Sequence, residues 1–466
     1  MHHRVLAAVV LCTLVVALLA FISVASSPVG EIEEHFELGR QWRATGSFPA
    51  VLRPPGYPAF VALTLLARDG LQRLPVVGSR WPFTGALNDD KVAVLAAQGL
   101  LLVVTSGTLF WFSSRDQGLV SAICVAALFG CNPYSIILVG TLSYYWLHVV
   151  LIVFSTIALA LALERPDRAR LLVAGLLWGV TTLVRPVSLI LPAFVVFLPL
   201  VHSGTGRTWR VFAHFLGWFS LGMALAVAPL TVRNFVATGR VIPVNAQVGF
   251  GLWGNTIEEI PSRTGYLTWT VLWTEHGVPV MARVTGSAVP RPESVEDTVR
   301  LNDELTRLAV MRIRRTPSIY IHNVFINFRE FNRDRLGVWL KFFQRVQVGV
   351  PMGDVPDRPL DRPARWGAAA AEAMMIVMMV MALAGIAVGL WRRHPAAWTV
   401  AAVYASMVVA HSIMFLTPRY PYVKLPLVIM GTGIALNTLG LSTRMSAIMG
   451  AMLLLAALGS TLALTW

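Results

Sequence analysis

EIEEHFELGRQWRATGSFPAVLRPPGYP, residues 31 to 58, follows the first hydrophobic segment of the chain directly, and the rest of the sequence is placed relative to it. It opens with the acids Glu31, Glu33, Glu34 and Glu37 around His35, and closes on Arg53-Pro54-Pro55-Gly56-Tyr57-Pro58. Glu33, Glu37 and Arg40 recur at helical spacing and share one face, while Glu34, Leu38, Gln41 and Trp42 share another. The proline run cannot continue a helix, because proline lacks the amide hydrogen and restricts the residue before it. The stretch therefore predicts a short amphipathic helix outside the membrane, followed by a stiff turn. Carboxylates at the end of a membrane helix, facing Arg53, are what a proton-abstracting site at a bilayer surface needs. From charge pattern alone, a solvated loop is the plainer reading.

The composition sets the class. Of 466 residues, 56% are hydrophobic and only 13% charged, where a soluble domain carries about 25% charged residues. With a mean hydropathy of +0.65, the chain is a polytopic membrane protein. Its net charge of +14 comes almost wholly from arginine, since Lys91, Lys341 and Lys424 are the only lysines. A lone arginine is thus weak evidence of function in this sequence, and a lone lysine slightly stronger. Cys12, Cys124 and Cys131 all lie in apolar runs and read as small buried hydrophobes, which excludes a disulfide framework or a thiolate metal site.

Apolar runs predict membrane spans at 5–25, 91–113, 118–138, 145–163, 170–185, 187–203, 211–231, 368–391, 396–416, 421–439 and 444–464, about eleven in all. Residues 57–67 are too short to cross upright and are expected to lie at the interface or dip into it. The first run reads as a retained span rather than a cleaved signal, with the N-terminus cytoplasmic. Every short loop then assigned to the cytoplasm carries arginine, as the positive-inside rule asks, and the long segments 26–90 and 232–367 fall outside. In the second of these, Ser294-Val-Glu-Asp297 resembles a capping box opening a helix, and Thr316-Pro317 reads as the N-cap and first residue of the next. That next helix interleaves Tyr320, Val324, Phe325, Phe328 and Phe331 with Arg329, Arg333 and Arg335, a pattern suited to lying on anionic membrane lipids. Nucleic acid is a poor partner for a segment on that side of a membrane.

The ordered motifs point further. After the acidic helix and Arg-Pro-Pro-Gly-Tyr-Pro come Ala174-Gly175-Leu-Leu-Trp-Gly179, Leu183-Val-Arg185-Pro186, Ala228-Pro229-Leu-Thr-Val-Arg233-Asn234-Phe235, Gly251-Leu-Trp-Gly254-Asn255 and Pro418-Arg419-Tyr420. In this order and topology the chain, from residue 5 to about residue 440, resembles the GT-C superfamily of membrane glycosyltransferases. It is most similar to bacterial relatives of the protein O-mannosyltransferases and of the lipid A aminoarabinose transferase. The resemblance implies one integral membrane domain over 1–466: an all-α bundle with interface helices in the outer loops 26–90 and 232–367, and C-terminal helices over 368–466. It also implies transfer of a sugar from a polyprenyl-phosphate-linked donor to a lipid, glycan or protein acceptor, on the outer face of a bacterial plasma membrane. Counting back from Gly39 and Gly46-Ser47-Phe48, the family's catalytic aspartate falls on Glu31, and the aromatic expected one turn later is His35. Many relatives carry a second acid after a serine in the second outer loop; here Ser143 is followed by Tyr144.

Such a reaction needs a base near the acceptor and positive charge near the departing phosphate. Glu31 is the candidate base, with Glu33 and Glu34 as alternatives. Arg53, Arg233, Arg419 and Lys424 are the candidates for phosphate, because cations can clamp its oxygens. Arg185, before Pro186 where two helices meet, reads equally as snorkelling to the interface. Asn234 and Asn255 read as sugar contacts or, more simply, as caps beside glycines. Tyr57 is a further candidate substrate contact, and Tyr420, like Tyr422, reads as ligand or interface anchor. His148 and His411 lie within spans, where an ionisable group hints at function but a helix–helix hydrogen bond is commoner. No cofactor is implied, although a divalent cation at Glu31 with a phosphate fits the chemistry. Two other readings share these features: a transporter or flippase of lipid-linked sugar, against which stands the lack of duplicated halves, and a relative that has lost catalysis.

Overall fold

The computed structural model describes residues 8, 11, 13–15, 33–48, 52–73, 89–195, 198, 208–258, 272–286, 294–333, 362–414, 420–439 and 443–465. The fold is an all-helical bundle. Its helices are α1 (Glu33–Thr45), α2 (Gly56–Gln72), α3 (Asp90–Asp116), α4 (Gly118–Cys131), α5 (Pro133–Val139), α6 (Tyr144–Glu164) and α7 (Arg168–Val184). Then follow α8 (Thr208–Thr238), α9 (Val248–Gly254), α10 (Val278–Thr285), α11 (Val295–Arg315) and α12 (Pro317–Asn332). The last four are α13 (Arg362–Trp391), α14 (Pro395–Ile413), α15 (Leu425–Thr438) and α16 (Thr443–Thr465).

Among the described residues, five helices are long and apolar enough to cross a bilayer, or six if α4 and α5 form one span bent by 47°. Some of the others are shorter than the apolar pattern suggests, and the breaks have local causes. The run 118–138 breaks at Asn132-Pro133, where Asn132 caps α5 by accepting from the Tyr134 amide at 3.0 Å and proline fixes the first turn. The run starting at 187 begins with a 3₁₀ helix, Pro186–Ile190, and the single turn Pro192–Val195. The expected span 5–25 lies mostly outside the described residues, though Thr13 is buried beside Gly130. Two elements run longer than the apolar runs mark them. Residues 57–67 form the heart of α2, and α8 continues past 231, so Arg233 and Asn234 sit on a helix rather than in a loop.

Small residues set how closely the helices cross. Gly175 and Gly179 of α7 face α8, and a Cβ on Gly175 would stand 1.9 Å from the Phe219 carbonyl oxygen. Gly222 of α8 answers from the other side, where a Cβ would come 2.2 Å from the Leu172 carbonyl oxygen. This is the small-xxx-small device of membrane helices, in which lipid offers no hydrophobic drive and backbone contact supplies the packing energy. Gly385 of α13 meets α15 in the same way at Ala435. The outer surfaces of α8, α13 and α16 expose Leu225, Val232, Val380, Ile448, Met452 and Leu455. Faces of that kind suit acyl chains and not water.

The α11–α12 segment has one side packed on the bundle and an apolar side left exposed. Ser294 caps α11 as expected, its hydroxyl oxygen accepting from the Asp297 amide at 3.0 Å. Thr316 precedes α12 but makes no side-chain cap; its hydroxyl donates back to the Arg312 carbonyl at 3.2 Å. Along α12, Ile321, Phe325 and Phe328 are exposed, whereas Asn323, Asn327 and Phe331 are buried against the bundle. The asparagines point inward because they hydrogen-bond the backbone carbonyls of Asn255 and Ile257, and of Ser412 and Met414.

The glycine contacts generate a direct expectation. Gly175→Leu must push α7 away from α8, and in detergent it should lower the unfolding midpoint by an amount equivalent to more than about 3 kcal/mol, beyond ordinary overpacking. Gly70→Ala, a helical position with nothing within 4 Å of the new methyl, should be neutral or stabilising by up to about 1 kcal/mol. Equal effects of the two changes on the thermal midpoint would refute the close-crossing account.

Candidate active site

The 31–58 stretch folds back on itself. Arg40, Arg43, Arg68, Asp69 and Asp90 tie α1 to α2 and to the start of α3 through ion pairs: Arg43–Asp69 at 2.7 Å, Arg40–Asp90 at 2.9 Å and Arg68–Asp90 at 2.6 Å. Gly39 lets α2 come close, since a Cβ there would stand 2.6 Å from Val61 Cβ. The return turn passes through Leu52 in the left-handed region, at φ 62°, a conformation costly for a branched residue. The Leu52 side chain is buried against Ala246 and Val299 in compensation. Gly56 then packs on the end of α7, where a Cβ would lie 2.5 Å from Val184 Cγ2 and 2.7 Å from the Val184 nitrogen. Arg53 consequently lies over the first turn of α1 and pairs with Glu34 at 2.9 Å, both side chains partly exposed. A pair so placed contributes about 0–1 kcal/mol; its value is positional.

Beside the buried Phe36, His35 is half-buried in that first turn. Its ring stands 5.4 Å from Tyr144 at an interplanar angle of 51°, and its buried Nδ1 has no hydrogen-bond partner among the described residues. Burial lowers its pKa to about 4; the Glu34 carboxylate opposes the shift and the Arg53 guanidinium adds to it. The imidazole is therefore neutral at neutral pH. Tyr144 lies 4.3 Å from Tyr145 between ring centroids, with their hydroxyls 3.0 Å apart. Both rings open α6, whose first turn is capped by the Ser143 side chain, accepting from the Tyr145 amide at 3.3 Å. Beneath Tyr145, at 5.8 Å from its ring centre, is the Arg185 guanidinium. Arg185 terminates α7 because Pro186 follows, and it is 7% exposed.

A deeper layer continues from there. His148, one turn into α6, bonds Ser188 of the 3₁₀ helix through Nε2 at 2.9 Å. His411, near the end of α14, is held through Nδ1 by the Met407 carbonyl at 2.7 Å and stacks on Phe331 with centroids 5.0 Å apart. Both imidazoles lie within electrostatic range of Arg185. Lys424, 1% exposed, donates to the Phe331 carbonyl at 2.8 Å and sits 6.0 Å over its ring. Tyr422, in the 3₁₀ turn Tyr420–Lys424 that ends on this lysine, lies 5.2 Å from Tyr134 between ring centroids, tilted by 49°. Burying cations costs several kcal/mol each unless something of opposite charge or polarity repays it. Through Phe331 and His411, Lys424 is linked to the surroundings of Arg185.

Other candidates are committed elsewhere. Tyr57 is 1% exposed and donates to the Gln98 side chain at 3.1 Å, making it a packing residue beside the site rather than a surface for ligand. Arg233 donates to the Phe48 carbonyl at 2.8 Å and lies 5.2 Å over the Phe48 ring, so it pins residues 46–48 to α8. Asn234 holds the chain after α8 through the Ile242 and Val244 carbonyls, at 3.0 and 3.2 Å. Asn255 is the hub of the α9–α12–α14 contact: it donates to the Ser412 and Ile413 carbonyls and accepts from Asn327 at 2.8 Å. Neither asparagine caps a turn beside a glycine: Asn234 sits within α8, and the Asn255 side chain reaches carbonyls 157 and 158 positions away. Glu31 and Arg419 lie outside the described residues, and Glu33 and Tyr420 are described by backbone only. Among the described residues no three His, Cys, Asp or Glu side chains gather as a metal site would require.

No family model matches the sequence, and no curated protein matches it. Solved structures do. The oligosaccharyltransferase of Archaeoglobus fulgidus, in a complex with Zn and sulfate, superposes with a TM-score of 0.54 at 14% identity, covering 98% of this chain and 52% of that one. The oligosaccharyltransferase AglB of the same archaeon, with an inhibitory peptide and a dolichol-phosphate, gives 0.52 at 12% identity, covering 98% and 55%. ArnT of Cupriavidus metallidurans bound to undecaprenyl phosphate matches more loosely, at 0.38 and 16% identity over 92% of this chain and 77% of that one. The chain thus spans about half the length of the oligosaccharyltransferase structures it matches. Their superposition over nearly the whole of this chain shows that it shares the fold of the matching half of those oligosaccharyltransferase structures.

Proposed function

We propose that the protein transfers a sugar from a polyprenyl-phosphate-linked donor to the hydroxyl of a lipid, glycan or protein acceptor, on the outer face of a bacterial plasma membrane. The observation that carries the reading is the burial of Arg185 and Lys424 with His148 and His411, directly behind the tyrosines that face the acidic first loop. The AglB structure contains a dolichol-phosphate and the ArnT structure undecaprenyl phosphate, and a lipid phosphate of that kind is the anion this pocket would take. Arg185 and Lys424 would bind the phosphate and stabilise the charge that grows on it as it leaves. A first-loop carboxylate, Glu31 by the resemblance, would accept the acceptor's proton. The acceptor oxygen would then bond to the anomeric carbon while the bond from that carbon to the phosphate oxygen breaks, its electron pair leaving with the phosphate. One displacement of this kind inverts the anomeric centre. Glu34, held by Arg53, and Glu33 beside it are the alternatives for the base.

The side of the membrane is tested by labelling. Cysteines placed at the exposed positions Ser47 and Ser294 should react with a membrane-impermeant thiol reagent on intact cells. Reaction only after permeabilisation would place both segments in the cytoplasm and remove the outward-facing site.

The roles separate by kinetics. In detergent, with no sealed compartment, the purified protein should consume a polyprenyl-phosphate sugar and glycosylate an acceptor. A flippase would leave the donor intact. Glu31→Gln should lower turnover by about 10²- to 10⁴-fold with little change in donor binding, and Glu31→Asp should retain substantial activity. Loss in Glu33→Gln or Glu34→Gln instead would move the base within the acidic run, and full activity in all three would refute a carboxylate base. Arg185→Met and Lys424→Met should each weaken binding of undecaprenyl phosphate by roughly 10- to 100-fold, the worth of a charge-assisted hydrogen bond. Unchanged affinity in both would refute the phosphate pocket.

A further inference from the structure

The order of groups along the site carries an inference about His35, which the proton-transfer and phosphate roles leave unused. Arg185, Tyr145, Tyr144 and His35 follow one another at 5.8, 4.3 and 5.4 Å. In a lipid-linked donor the sugar is attached directly to the phosphate. With the phosphate at Arg185, a sugar ring lying one ring's width further along, past the half-buried Tyr144, would reach His35. The far end of that path carries a buried Nδ1 with no hydrogen-bond partner among the described residues. A buried polar atom left unsatisfied costs about 1–3 kcal/mol, and such atoms in native folds call for a physical reason. Aromatic faces beside a lone hydrogen-bonding nitrogen are the surface a sugar needs: apolar ring hydrogens against the tyrosines, a hydroxyl on the imidazole.

We propose that His35 is a positioning residue for the donor, its Nδ1 hydrogen-bonding a hydroxyl of the transferred sugar. The inference rests on the donor assignment made above. A hydroxyl is both donor and acceptor, so it satisfies Nδ1 in either neutral tautomer. Neutrality suits the task, because an imidazolium would be confined to donating and would add a third positive charge to those of Arg53 and Arg185. Among the described residues, the charged groups that face the ring are Glu34 on its own helix and Arg53 from the loop; α6 presents Tyr144.

The test measures binding, not turnover. Dissociation constants of the full chain in nanodiscs are compared for undecaprenyl phosphate and for undecaprenyl-phosphate-linked arabinose, mannose and glucose. The wild type should bind at least one sugar-bearing lipid more tightly than the bare one. His35→Phe keeps a ring against Tyr144 but has no polar atom. It should lose that preference by roughly 5- to 100-fold while binding bare undecaprenyl phosphate as before. His35→Asn, whose amide can stand where Nδ1 stands, should keep the preference within about 3-fold. The wild-type preference should also weaken as pH falls from about 5 toward about 4, where the imidazole gains its proton, and His35→Asn should show no such step. A preference undiminished in His35→Phe overturns the sugar contact and leaves the phosphate pocket standing. Equal loss for both lipids also overturns it, marking His35 as a wall of the pocket. If the wild type binds neither kind of lipid, the donor assignment itself is overturned, and the role of His35 with it.

Discussion

The contact of Gly56 with Val184 decides where the site is. A backbone without a Cβ lets the proline turn rest against the last turn of α7, and the consequences run in both directions along the chain. Upstream, the turn returns over α1 and places Arg53 beside Glu34 and His35. Downstream, α7 ends at Arg185, which Pro186 prevents from being followed by another helical turn. One close approach therefore brings the acidic first segment and the buried guanidinium to the same end of the bundle. The left-handed Leu52 just before the turn shows that the surrounding packing holds a strained backbone in place.

Charge buried in an apolar bundle is the second constraint. Hydrophobic packing alone would favour an uncharged side chain at 185 and 424, because a cation there costs several kcal/mol even with good polar contacts. Lys424 donates to a backbone carbonyl and lies over an aromatic face, contacts that moderate the cost of burying it. The same cost bears on the groups around it. It also explains why the neighbours are tyrosine, histidine and serine: they offer polarity without adding a fixed charge. The asparagines of α12 serve the same end at a distance. By satisfying the carbonyls of 255, 257, 412 and 414, they keep Phe331, and so the carbonyl that Lys424 needs, in register.

The fold class, the interface helix with its stiff turn and the capped α11 follow from local chemistry and were readable from composition, period and motif alone. Arg185 and Lys424 were nameable as candidates, Arg185 equally as a residue snorkelling to the interface, but that both are buried is seen only in the fold. The inward side of α12 was not readable, because its asparagines face carbonyls far away in sequence and a pattern of aromatics among arginines does not report where partners will be. The break at Asn132-Pro133 shortens one apolar run for a reason visible in the proline, but hydropathy averaged over a window passes across it, whereas the break at Arg185-Pro186 was read from the sequence.

What the sequence by itself determined is that the chain enters a membrane as helices, and that an acidic and proline-bounded segment stands at one end of the first of them. What only the tertiary structure decided is which of the polar residues meet. Tyr57, Arg233, Asn234 and Asn255 carry the right chemistry for a sugar phosphate, yet their donors are taken by Gln98, Phe48, Ile242 and Ser412. His35 and Tyr144, separated by more than a hundred positions, become neighbours. The reason is physical: residue type and local period fix the cost of burial and the direction of a side chain on its own helix, whereas which two helices lie side by side depends on contacts such as Gly175 on Phe219 and Gly56 on Val184, and these exist only once the chain has folded.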